Sequence, residues 1–172
     1  KHSFVCGLAA KIIATELKKV SNEFFVAGLI HDIGKLVIYI TLPNEFLKLV
    51  KATRHLKLKF MAFETEKRVI GMTHDEVGMR LLKKWMFPES LLTAIGFHHR
   101  LQETEKKSLL PVVVHIADIF AHLYEMQTVV EVDDPLKTET LFPDIIKLAQ
   151  SYEIEWDESD LNRLQQSLTE SI

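Results

Sequence analysis

Ala27-Gly28-Leu29-Ile30-His31-Asp32-Ile33-Gly34-Lys35 sets a histidine and an aspartate side by side within an apolar segment. It lies in a run of helical periodicity, yet an imidazole and a carboxylate adjoin among its apolar residues. Burying an ionised aspartate without a partner costs on the order of several kcal/mol. A divalent cation satisfies a carboxylate and a neighbouring imidazole together, because both can coordinate it. Lys35 follows one turn after His31, about 40° round a helix, so its ammonium can stand over the same site. Gly28 and Gly34 weaken helix propensity but let other backbone come close to the pair. A salt-bridged His-Asp pair on the surface is the plainer alternative, and the apolar flanks argue against it.

The same conflict recurs further along. Asp118 interrupts Val112-Val113-Val114-His115-Ile116-Ala117-Asp118-Ile119-Phe120-Ala121, a segment otherwise fit for a core helix. An acid there needs a metal or a basic partner. His98 and His99 adjoin at the expected end of a helix, where two imidazoles can enter a cleft from different directions. His74 falls in the first turn of another helix, with Gly78 one turn on. A single histidine is more often a hydrogen-bonded structural residue. The joint order His2, His31-Asp32, His74, His98-His99, Asp118 carries more weight than any one of them.

The bulk composition is that of an ordinary globular chain. Its 172 residues are 47% hydrophobic and 26% charged, with a formal net charge of −3, which excludes nucleic-acid binding by bulk electrostatics. Basic residues concentrate between Lys48 and Arg68 and acids between Glu131 and Asp160. Both are read as solvated faces, with guidance of an anionic ligand as the second reading. Cys6 is the only cysteine, which excludes an internal disulfide and a thiolate cluster and suits a reducing, cytoplasmic setting. The longest clean apolar run, Phe24 to Ile30, is too short to span a bilayer, so no membrane role is expected. The sequence opens on Lys1 rather than Met, as a piece of a longer protein would.

Periodicity predicts an all-α chain of about seven to nine helices forming one domain over 1–172, with a metal-site core to about 127 and C-terminal helices over about 143–171. The first helix is expected from His2 to Lys19, with Phe4, Val5, Leu8, Ile12 and Leu17 on its apolar face. A second, capped by Ser21 or Asn22, should run unbroken to about Ile40. Pro43 opens a third, reaching Arg54. A fourth covers Met61 to Ile70, stopped by Gly71. Thr73 and Glu76 have capping-box spacing for a fifth, reaching about Met86. Pro88 begins the next, which ends near His99. Residues 102–107 should be a polar loop, Leu109 to Met126 a buried helix, and 128–142 irregular. Helices from Pro143 to Ser151 and from Asp157 to Glu170 close the chain. Trp85 is expected in the core.

The order of histidines and aspartates resembles the HD phosphohydrolase superfamily, named for its adjacent His-Asp pair. That resemblance implies a compact helical bundle in which His2, His31, Asp32 and Asp118 hold one divalent ion. Members with two ions add a histidine and a His-His pair, matched here by His74 and by His98 and His99, with Asp32 bridging. The segment around His31, together with Glu66, Gly71, His74, Glu76-Val77-Gly78, Leu81-Leu82, Trp85, Pro88, His98-His99 and His115-Ile116-Ala117-Asp118, is similar to the HDOD subgroup. HDOD domains are regulatory modules of bacterial signalling proteins, and many lack metal ligands that this chain keeps. The family unit also carries a further helical segment before the position of Lys1. The related HD-GYP phosphodiesterases follow their His-His pair with a glycine-rich signature. Here Arg100-Leu101-Gln102-Glu103 follows, with no glycine before Asp118. Cyclic di-GMP is therefore expected to be a poor substrate.

The resemblance implies hydrolysis of a phosphoester by metal-activated water, with a nucleotide or cyclic nucleotide as substrate. Mixed imidazole and carboxylate donors suit Fe, Mn, Zn, Ni or Co. Lys35 would hold a phosphate oxygen and, with Asp32, serve catalysis. The rival reading is a signalling module that contacts partner proteins and keeps the metal for structure. Of the remaining histidines, His55 is read as solvated. His115 and His122 share a helical face with Asp118, where packing or hydrogen bonding behind the site is preferred to direct ligation. Glu66 could form a salt bridge near the site.

Overall fold

The structure is a computed structural model that describes residues 1–19, 21–54, 63–104, 108–129 and 138–172. Among these residues the chain is all-helical, as periodicity predicts. In order come α1 (His2–Glu16), α2 (Asn22–Ile30), α3 (Ile33–Thr41), α4 (Pro43–Thr53), α5 (Phe63–Ile70), α6 (His74–Lys84), α7 (Glu89–Phe97), a 3-10 turn (Leu101–Glu103), α8 (Leu109–Val129), α9 (Thr138–Ser151) and α10 (Glu158–Glu170). His55, Lys57, Lys59, Met61, residues 105–107 and all of 130–137 fall outside the described residues, so the readings made of them do too.

α8 is the central post. Val112, Val113, Val114, Ile116, Ala117 and Ala121 are wholly buried, as in a helix enclosed on every side. α1, α2 and α7 pack against α8, while α3 packs on α6, α6 on α7, and α10 covers α1. The beginning of α1, the turn between α2 and α3, the start of α6, the end of α7 and the middle of α8 therefore converge.

The expected unbroken second helix is two helices. α2 ends at Ile30, His31 and Asp32 form a turn, and the Lys35 amide then donates to the Asp32 carbonyl at 2.9 Å. The break turns the buried His31 and the partly covered Asp32 inward together. Gly34 explains why α3 can sit so close to α6. A Cβ there would overlap the His74 carbonyl oxygen and stand 2.8 Å from the Gly78 nitrogen. By composition and length alone, Asn22–Thr41 and Leu109–Met126 do reach a membrane-spanning size, which corrects the expectation from the shorter run. The first is broken by the His31–Asp32 turn, and 72% of the second is buried within the fold.

Other boundaries shift for physical reasons. α1 stops at Glu16, and Lys18 takes a positive φ of 55°. Its buried face is Val5, Cys6, Ala9, Ala10, Ile13 and Ala14, whereas Phe4 is exposed. Small residues face inward there because α2 lies close: a Cβ on Gly28 would stand 2.7 Å from the Cys6 carbonyl oxygen. Ser21 caps α2, accepting from the Glu23 amide at 3.1 Å. Trp85 is not in the core. It follows the last residue of α6, is 55% exposed, and precedes Met86 in a left-handed conformation at φ 58°. α9 begins at Thr138 and carries Pro143 inside, so part of the segment expected to be irregular is helical.

Candidate metal centre

His2 enters from the first turn of α1, His31 and Asp32 from the α2–α3 turn, and His74 from the first turn of α6. His98 and His99 come from the end of α7, and Asp118 from α8. The structure brings all seven together, across as many as 116 positions of sequence: His2 Nε2 stands 2.9 Å from Asp118 Oδ1. Among the described residues, three sets have donor atoms within 4.8 Å of one another: His74-His98-His99, His2-His31-Asp32 and His2-Asp118-His122.

Asp32 stands between two groups. Its Oδ1 faces His74 Nε2 at 3.2 Å, while its Oδ2 faces His31 Nε2 at 3.5 Å and His2 Nε2 at 4.0 Å. His31 Nε2 also stands 3.4 Å from Asp118 Oδ1. Lys35 Nζ donates to Asp32 Oδ2 at 2.7 Å. Asp32 and Asp118 thus both have basic partners within the chain, one of the two ways expected of such an acid. What suits the centre to a cation is the direction of the nitrogens.

Three imidazoles are held from behind. His31 Nδ1–H donates to the Gly28 carbonyl at 2.8 Å, and His98 Nδ1–H to the Ile95 carbonyl at 2.8 Å. His74 Nδ1–H donates to Glu66 at 2.6 Å. Carbonyl and carboxylate oxygens only accept, so each ring carries its proton on Nδ1 and turns Nε2 to the centre. His74 Nε2 and His98 Nε2 then face each other at 3.4 Å, and His31 Nε2 and Asp32 Oδ1 make no hydrogen bond. Facing lone pairs in a buried pocket repel unless a cation lies between them. The donor set, imidazole nitrogens around a bridging carboxylate, fits one or two divalent transition ions.

The electrostatics agree. Burial pushes His98 well below the ordinary imidazole range and His99 down to about 2, so both stay neutral donors. Burial opposes charge on Asp32, but His31 and Lys35 outweigh it and hold the carboxyl well below its usual range. His31 is the exception among the histidines. Burial disfavours its charge, yet neighbouring Asp32 raises it well above the usual value. A divalent ion bound at His31 would compete with a proton, so its uptake would be linked to proton release.

Supporting residues fix these positions. Glu66, almost wholly buried on α5, accepts from both the His74 ring and the His74 amide, the latter at 2.8 Å. The Thr73 amide donates to Glu76 at 3.2 Å, forming the expected cap of α6. Arg100 ties the start of α6 to the end of α7, through Asp75 at 3.2 Å and the Gly96 carbonyl at 2.9 Å. His115 stands edge-on to His99 with ring centroids 6.3 Å apart. Beside them lies a cavity of about 330 Å³ lined by His99, Gln102, His115, Ser151 and Tyr152.

Replacing Glu66 by Gln is expected to preserve the fold and weaken Mn²⁺ binding by about 10- to 100-fold, the range for a carboxylate behind a ligating histidine. Equilibrium dialysis measures this. Undiminished affinity would reduce Glu66 to a tie between α5 and α6.

An all-helical bundle that gathers five histidines and two aspartates into one buried centre defines the HD type of domain. The chain belongs to the HDOD domain family, which it matches over residues 1–101. The match ends before α8, so the joining of Asp118 to the site is a contribution of the structure. A solved structure of a candidate phosphohydrolase from Shewanella amazonensis SB2B has a TM-score of 0.70 at 21% identity, covering 98% of this chain and 57% of that one. A Geobacter sulfurreducens HDOD domain protein of unknown function has a TM-score of 0.68 at 25% identity, covering 99% and 61%. An uncharacterized Treponema pallidum protein is 29% identical over 112 residues, covering 64% of this chain and 21% of the relative. Ribonuclease Y of Chlorobaculum tepidum is 33% identical over 119 residues, covering 69% and 17%. The chain thus spans about a fifth of the length of these curated relatives.

Proposed function

We propose that this domain is a metal-dependent phosphohydrolase that cleaves a phosphoester of a nucleotide or cyclic nucleotide in bacterial signalling. The observation that carries the reading is the convergence of His31 Nε2 and His74 Nε2 on the two separately directed oxygens of Asp32, with His98 Nε2 facing that of His74. His2, His31, Asp32 and Asp118 would hold one ion, and His74, His98, His99 and Asp32 the other. Divalent ions held there supply Lewis-acid stabilisation of phosphoryl oxygens and an acidified water. Asp32 fixes the spacing of the two groups, and Lys35 sets an ammonium beside Asp32, where it would meet a phosphate oxygen. The cavity between His99 and Tyr152 gives room for the part of the substrate away from phosphorus. The printed names of two relatives, a ribonuclease and a candidate phosphohydrolase, support the same reaction class.

A second reading has its own observation. Lys35 is committed to Asp32 at 2.7 Å, which favours a regulatory HDOD module that retains a structural metal and acts by contact with signalling partners. Protein purified without chelator is expected to carry at least one transition metal per chain and to hydrolyse some member of a phosphodiester panel. Cyclic di-GMP should be among the poorer substrates, since the glycine-rich segment after the His-His pair is absent. Absence of metal by elemental analysis, with no thermal shift on adding Mn²⁺ or Zn²⁺, would defeat both readings. Metal without hydrolysis of any phosphodiester would leave the regulatory one.

A further inference from the structure

α8 presents more than Asp118 to the centre. Asp118, His122 and Glu125 fall at i, i+4 and i+7, on one helical face. His122 is buried, and its Nε2 stands 3.4 Å from Asp118 Oδ1. That oxygen is also 2.9 Å from His2 Nε2 and 3.4 Å from His31 Nε2. Three imidazole nitrogens therefore crowd one carboxylate oxygen. They cannot all be its hydrogen-bond donors, because one carboxylate oxygen offers only about two acceptor sites.

We propose that His122 is a direct metal ligand, completing with His2 and Asp118 a cation position at the α8 side of the centre, and that Glu125 positions both imidazoles. The inference rests on the metal centre proposed above and adds a ligand that the family pattern of seven does not contain. Glu125 carries the second half of it. Its Oε2 lies 3.3 Å from His2 Nδ1 and 3.9 Å from His122 Nδ1, behind both rings. Glu66 stands behind His74 in the same sense at 2.6 Å, whereas Glu125 lies farther from its two rings, placed to draw up to their outer nitrogens once a cation holds the inner ones. The His2 and His122 rings lie close, with centroids 4.4 Å apart and planes inclined by 34°. His2 stands at the first turn of α1, where a helix end frays readily. A ligand in the middle of α8 would hold the cation where His2 alone could let it go.

Cobalt(II) titration tests this, because the visible bands of Co²⁺ report its ligands directly. The wild-type chain, His122→Gln, Glu125→Gln and His31→Ala are compared by bound Co²⁺ per chain and by visible absorption, with circular dichroism checking the fold. His122→Gln is expected to shift the cobalt bands and to weaken one binding event by 10²-fold or more. Glu125→Gln should weaken the same event by a smaller factor and leave the band positions in place. A His122→Gln protein with wild-type affinity and bands would overturn the proposal, as would weakened affinity with unchanged bands, the mark of a residue behind the ligands. Should His122→Gln fail to fold, Zn²⁺-soaked crystals of the wild-type chain decide instead, by metal density about 2.0–2.1 Å from His122 Nε2 or its absence there. Failure of the underlying metal centre reads differently: the wild-type chain would take up no Co²⁺, and His31→Ala would match it.

Discussion

Lys35→Met is expected to keep its metal and its fold yet lose turnover by about 10²-fold or more, the scale of removing one donor to a transition-state charge. Asp32→Asn should lose both metal and turnover. The difference follows from where each group stands. Asp32 directs one oxygen to His74 and the other to His31 and His2, so an amide there removes charge from both groups of donors. Lys35 pairs with Asp32 Oδ2 at 2.7 Å, and an ammonium has no lone pair to give a cation. Removing its ammonium frees that oxygen, so Lys35→Met should bind metal at least as tightly as the wild type. Methionine keeps most of the apolar stem, which limits the loss of packing. Elemental analysis, a melting curve and initial rates on the best phosphodiester measure the three effects separately. Full metal occupancy with undiminished hydrolysis in Lys35→Met would remove Lys35 from the mechanism. Unchanged metal content in Asp32→Asn would remove the bridging role of Asp32.

The candidate ligands were legible because each breaks a local rule. An acid inside Val112 to Ala121, or an imidazole and carboxylate amid Leu29, Ile30 and Ile33, conflicts with its neighbours, and the conflict marks the position. Residues that break no rule stayed hidden. Glu125 looks like any solvated acid near the end of a long helix, and only the return of α1 to α8 places it behind His2. Glu66 was visible as a possible ion pair, but its double hold on His74 depends on how α5 meets α6. The register of α1 departs from the expected one for a related reason. Apolar size favours Phe4 and Leu8, whereas the buried face is mostly small residues, Cys6, Gly7, Ala9, Ala10 and Ala14 beside Val5 and Ile13, because helix proximity selects smallness rather than hydrophobicity. The break at His31 and Asp32 escaped periodicity as well, since neither residue is a strong helix breaker. Tertiary demand for both side chains at one point outweighs the single turn of helix forgone there.

Gly34 shows how closely that demand is built into the backbone, and Gly34→Ala is expected to cost about 3 kcal/mol or more, at the upper end for overpacking. A new Cβ would overlap the His74 carbonyl oxygen and crowd the Gly78 nitrogen. Both obstacles are main chain of α6, so no flexible side chain can swing aside. α3 and α6 would have to separate, and the cost is large against a total stability of about 5–15 kcal/mol. The damage should extend to the site. His74 Nε2 and Asp32 Oδ1 stand 3.2 Å apart on the two elements being forced apart, so metal affinity should fall with stability. Gly71→Ala is the control. Gly71 has φ +89° but nothing within 4 Å of a built Cβ, so its substitution should cost only the left-handed backbone penalty, about 1–2 kcal/mol, and leave metal binding alone. Urea unfolding of both variants, with metal titration in parallel, gives the comparison. If Gly34→Ala proves no more costly than Gly71→Ala and binds metal normally, α3 and α6 are not held at the separation on which the placement of Asp32 against His74 depends.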